Sequence, residues 1–137
     1  MADSESVLRE FLAAIGDGVN IEAASEHVAD DVEFQMPGMA LIRGVNEWKQ
    51  MAGMFQAAFP DLTMEVVEVI SVGDRASARW SWTATHQGDL MGIAATGKSV
   101  SAEGCGFYRF RDGKIVSEWV VEDMLSVMQQ IGVVPTP

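Results

Sequence analysis

The feature that most constrains this chain is a change of hydrophobic period near residue 60. Before it, apolar residues recur mostly every three or four positions; after it, they mostly alternate. Val7, Leu8, Phe11, Leu12 and Ile15 form a helical stripe behind Asp3 and Ser4, which can cap it, and Gly16-Asp17-Gly18 stops it. Asn20 is placed to cap a second short helix running through Val28, and Val32 to Met36 alternates like a strand until Pro37-Gly38 turns it. Trp48, Met51, Ala52, Phe55 and Phe59 predict a third helix that starts at Val45 and is ended by Pro60.

From Leu62 the period is two. Strands are predicted at 62–72 and 75–87, joined by Gly73-Asp74, followed by a glycine-bearing loop at 88–98 and a final hairpin. In the second of these strands Ala76, Ala78, Trp80, Trp82, Ala84 and His86 share one face. Arg75, Ser77, Arg79, Ser81, Thr83 and Thr85 share the other, so the tryptophan face is the buried one. In the hairpin, the aromatic-rich segment 104–110 runs into Asp112-Gly113, a strong turn signal, and 114–121 returns. Asp123 follows, then a short helix stopped by Gly132. Helices first and an antiparallel meander after them predict an α+β fold, with the helices packed on one face of a curved sheet. A chain of 137 residues fits one domain, so 1–137 is read as a single unit.

Charge and composition narrow the partners. Twenty acidic residues against nine scattered basic ones give a net charge of −11, so there is no basic stripe to follow a phosphate backbone and nucleic acid is not expected. No apolar run approaches ~18 residues, so no membrane span is expected. Cys105 is alone, and Met1 to Glu5 lack the basic and apolar regions of a signal peptide; a reducing cytoplasm is the expected location. Two histidines and one cysteine without paired spacing predict no metal site. Cys105 lies in an apolar strand with no adjacent histidine, so it is read as inert. The short glycine pairs Gly16/Gly18 and Gly104/Gly106 lack the strand, loop and helix context of a phosphate-binding loop.

Phe59-Pro60-Asp61-Leu62, Thr85-His86-Gln87-Gly88, Met91-Gly92-Ile93, Thr96-Gly97-Lys98, the segment 109–115 and Gln129-Gln130-Ile131-Gly132 together resemble the SnoaL-like polyketide cyclase family. Their order and spacing match from the first helix to Gly132. The resemblance implies the cone-shaped fold of the nuclear-transport-factor-2-like superfamily, in which a curved antiparallel sheet wraps on N-terminal helices around a deep apolar cavity. It also implies a homodimer through the outer sheet face. It implies ring closure by intramolecular aldol condensation, a pocket aspartate removing an acidic proton next to carbonyls without metal or cofactor. In the family pattern that aspartate falls at Val120 and polar cavity residues fall at Gly104 and Gly106; all three are nonpolar here. His86, Arg109 and Asp123 match family positions.

Three catalytic candidates follow. Asp123, after an apolar strand, reads as a proton-transfer carboxylate or as a helix cap. His86 reads as a proton relay or as a structural hydrogen-bonding group. The third, Glu118, depends on the hairpin register. A two-residue turn groups Gly104, Gly106, Tyr108 and Phe110 with Ile115, Trp119 and Asp123. A three-residue turn with a bulge groups them with Val116, Glu118 and Val120, making Glu118 the pocket carboxylate. The separation of apolar from charged faces favours the first register and the family pattern the second. Trp48, Met54, Phe55, Trp82, Tyr108, Arg109 and Trp119 are the candidate ligand contacts, with core packing as the alternative for the aromatics and a cross-strand ion pair for Arg109. The expected partner is a small apolar or aromatic molecule, handled by a cofactor-independent cyclase, isomerase or lyase, or held by a noncatalytic binding module.

Overall fold

The computed structural model describes residues 3–137; Met1 and Ala2, which entered the reading of the amino terminus, lie outside the described residues. Helix α1 (Ser4–Ile15) starts where the Asp3 side chain accepts a hydrogen bond from the Ser6 N–H at 2.7 Å, and it buries Val7, Leu8, Phe11 and Leu12. Asn20 caps α2 in the same way by accepting from the Ala23 N–H. Helix α2 (Ile21–Ser25) is shorter than the spacing predicts, because Val28 opens strand β1 (Val28–Gln35) and pairs beside Ile115. Tertiary pairing overrides local propensity there.

Strand β2 (Ile42–Arg43) leads through Gly44 into helix α3 (Val45–Ala58), which ends just before Phe59-Pro60. Strands β3 (Thr63–Val72), β4 (Arg75–Thr85), β5 (Ser99–Arg111) and β6 (Lys114–Glu122) form the meander, and helix α4 (Met124–Gln130) closes the described chain. The six strands are ordered β2-β1-β6-β5-β4-β3. All neighbours are antiparallel except β1 and β6, which run parallel, so the sheet is mixed and mostly antiparallel, in the α+β arrangement expected. A parallel pair needs a long connection, and here α3 and the whole meander supply it. Bulges interrupt β1, β3 and β6, each adding twist and bending the sheet around the helices.

The bulge in β6 resolves the register. Asp112 and Gly113 both have positive φ, 51° and 74°, which suits a two-residue turn, and Arg111 pairs with Lys114 and Phe110 with Ile115. Arg109, however, pairs with Ser117, so Val116 is an extra residue on β6. Beyond it the alternation inverts. Ile115 points inward as the first register requires, and then Glu118, Val120 and Glu122 occupy the inner face while Trp119 and Asp123 turn outward. The grouping of Trp119 and Asp123 with the inner residues is therefore corrected, and the cause is a one-residue insertion after the turn rather than a longer turn.

Candidate functional site

Between the helices and the inner sheet face lies a cavity of about 110 Å³. Helix α1 contributes Phe11, Leu12 and Ile15, α3 contributes Trp48, Met51 and Phe55, and the sheet contributes Trp80, Trp82 and Tyr108. The lining is apolar apart from the Tyr108 hydroxyl, the indole N–H groups and two carboxylates, Glu118 and Glu122.

Glu118 is 5 % exposed, and the Trp48 indole N–H donates to its Oε1 at 3.1 Å. It sits opposite Tyr108 on β5. Burial pushes its pKa from an ordinary 4.5 up to about 7, with the Trp48 indole N–H and the neighbouring Tyr108 hydroxyl pulling the other way. The same burial, reinforced by the negative charge of Glu118, drives the Tyr108 hydroxyl well above its usual range. A carboxylate with its pKa pushed to about 7 inside a largely apolar pocket suits a general base or acid.

Glu122 lies four residues further along β6 on the same face. The Trp80 indole N–H donates to Oε1 at 2.9 Å and that of Trp82 to Oε2 at 3.0 Å. Burial raises its pKa, opposed by these two bonds. Its partner across the ladder is Gly104, where a Cβ would overlap the carboxylate. At Gly106 a Cβ would stand 2.9 Å from Tyr108 Cε1 and 3.1 Å from the Trp80 ring. The two glycines therefore make room for the Glu122 carboxylate and the Tyr108 ring.

The candidate residues divide cleanly. Glu118, Trp48, Phe55, Trp82 and Tyr108 line the cavity. Asp123 is exposed and caps α4 by accepting from the Ser126 N–H at 3.1 Å, so it stands outside the pocket as a cap. His86 is fully buried just past β4 but is not a lining residue; the Thr96 N–H donates to its Nδ1 at 3.2 Å, holding the 88–98 loop, and Nε2 has no partner among the described residues. Met54 is 59 % exposed on the outer side of α3. Trp119 lies on the outer sheet face against Phe107, ring centroids 5.9 Å apart, and Arg109 is exposed beside that pair. Glu122 escaped the sequence reading. Its signal was its phase: two residues beyond Val120, opposite a glycine, in the bulged register.

This geometry can be set beside known proteins. The model of the SnoaL-like polyketide cyclase family matches residues 6–131. The chain belongs to that family. Among solved structures similar to this SnoaL-like chain is AclR, a "putative hydroxylase" from Streptomyces galilaeus, at 29 % identity and TM-score 0.84, covering 96 % of this chain and 86 % of AclR. A "putative polyketide cyclase" from Acidithiobacillus ferrooxidans is similar at 28 % identity and TM-score 0.78, covering 96 % and 97 % of the two chains. IdmH, a "putative polyketide cyclase" from Streptomyces antibioticus, is similar at 27 % identity and TM-score 0.78, covering 94 % and 98 %. No curated protein matches this chain significantly. Within the SnoaL-like frame, Val120 is buried between Glu118 and Glu122 on the inner face.

Proposed function

We propose that this SnoaL-like protein is a cofactor-independent enzyme of the cyclase or isomerase type, with Glu118 as the proton-transfer group. The observation that carries the reading is a carboxylate buried in an apolar cavity and held by the Trp48 indole. Glu118 takes an acidic proton next to a substrate carbonyl, and the electron pair left on carbon delocalises into that carbonyl as an enolate. The Tyr108 hydroxyl, beside Glu118, is placed to donate to the enolate oxygen. The enolate carbon attacks a second carbonyl of the same molecule, and the resulting alkoxide takes the proton back from Glu118. Isomerisation follows instead if the proton returns to a different atom.

A simple ketone tests this without knowledge of the natural substrate. Exchange of the α-protons of 1-tetralone in D₂O, followed by NMR, should run faster with the protein than in buffer and rise as pH passes through about 7, where Glu118 ionises. Glu118→Gln should lower the exchange rate ~10²-fold, the scale of a positioned general base. A Gln variant exchanging as fast as the wild type would overturn the reading and favour a noncatalytic binding module, the alternative that Val120 supports.

The described residues share one sheet and one apolar cluster, which supports reading 1–137 as one domain. A homodimer is proposed through the outer sheet face, where Ile70, Val72, Phe107 and Trp119 are exposed around one shallow groove. Val120, expected on that face in the first register, is buried inside instead. Residence in a reducing cytoplasm rests on the lone Cys105; among the described residues no helix is long and apolar enough to cross a membrane.

A further inference from the structure

The cavity holds two carboxylates and one proton-transfer role. Glu118 has the Tyr108 hydroxyl at hand and a pKa near neutrality, so it answers for the reacting carbonyl. Glu122 is built differently. Two indole N–H groups grip one oxygen each, at 2.9 and 3.0 Å, which holds the carboxylate in one orientation while leaving its remaining lone pairs free. Gly104 clears the space it occupies. Its partners are neutral, and among the described residues the cavity lining contains no Lys, Arg or His. A buried carboxylate without a cation is costly, and aromatic rings around it stabilise a cation further. A net charge of −11 adds a long-range pull of the same sign.

We propose that Glu122, with Trp80 and Trp82, forms a recognition subsite for a protonated amine carried by the ligand. The inference rests on the reading of this cavity as the substrate site. Four residues of strand separate Glu122 from Glu118, about 13 Å between backbone positions. The substrate class is therefore an elongated apolar molecule with an amine at one end and an acidic C–H next to a carbonyl at the other. Carboxylate- or phosphate-bearing ligands are disfavoured, because both fixed acids repel them.

Three nearly isosteric probes test the subsite: benzylamine, benzyl alcohol and benzoate, titrated at pH 8 with the fluorescence of the cavity tryptophans as the signal. Benzylamine should bind the wild type at least ~10-fold more tightly than benzyl alcohol, and benzoate most weakly. Glu122→Gln, which keeps the shape and an acceptor for one indole, should erase the amine's advantage. Glu118→Gln should keep it. Benzyl alcohol binding as tightly as the amine, no saturable binding of any probe, or an amine advantage that survives Glu122→Gln or vanishes in Glu118→Gln would overturn the proposal. If Glu122→Gln fails to fold, the wild-type order and the Glu118→Gln arm still decide. Proton exchange reads Glu118 and amine selectivity reads Glu122, so either proposal can fail without the other.

Discussion

Replacing Glu118 by glutamine should stabilise this protein in a pH-dependent way. The folded state raises the Glu118 pKa from 4.5 to about 7 by burial, so between those values the folded chain holds a proton that the unfolded chain has released. Stability consequently falls as pH climbs through this window, at up to about 1.4 kcal/mol per pH unit. Below pH 4.5 both states are protonated and the penalty vanishes; above about 7 it is complete, at roughly 3 kcal/mol. At 5 % exposure little solvent screening applies. Glutamine fills the same volume and still accepts from the Trp48 indole, but it does not titrate. Urea unfolding of wild type and Glu118→Gln at pH 5 and pH 8 isolates the effect, since any constant cost of the amide cancels between the two pH values. The variant should gain about 2–3 kcal/mol on the wild type from pH 5 to pH 8, a relative midpoint shift of ~1 M or more. An unchanged difference between the two proteins across that range would refute the assignment of Glu118 as a desolvated carboxylate.

Further perturbations separate the remaining roles. Asp123→Ala should cost ~1 kcal/mol in urea unfolding and Asp123→Asn much less, with neither changing the proton-exchange rate, because the residue caps α4 outside the cavity. Gly104→Ala should cost ~1–3 kcal/mol by driving a methyl into the Glu122 carboxylate, visible as a lowered thermal midpoint and altered tryptophan emission. Deleting Val116 should keep cooperative unfolding at a lowered midpoint, since Ser117 and Glu118 still pair with Arg109 and Tyr108 without the extra residue and only the bend that the bulge supplies is lost. Trp119→Ser should shift the chain from dimer to monomer in light scattering while leaving its circular dichroism intact.

Helix α1, helix α3 and the tryptophan face of β4 were legible because their burial follows a local period. The parallel seam between β1 and β6 was not, because pairing Phe34 with Glu118 leaves no trace in either segment alone. The site was half legible for a related reason. Trp48, Trp82 and Tyr108 announce a cavity by residue type, and Asp112-Gly113 announces its turn. Which side of β6 faces inward hangs on whether one more residue is accommodated at Val116, a question of fit between strands rather than of propensity. That single ambiguity drew attention to Asp123 and hid Glu122. His86 misled for a different reason: it ends the buried face of β4 in sequence, yet the chain leaves the sheet at that point and turns its ring toward Thr96.

The seam between β1 and β6 also sets the order in which the molecule can be assembled. The Trp48 indole and the Glu118 carboxylate that receives its hydrogen bond lie 70 residues apart, and β6 is the last strand of the chain. Helices α1 and α3 emerge from the ribosome long before the strand that carries both acids, so their apolar faces wait unpaired while the meander is made. Such high contact order slows folding, because the loop must close before the contacts that hold it exist. The pocket is thus completed only after β6 has been made, and a chain stopped at Arg111 would carry most of the wall residues with neither of the two acids.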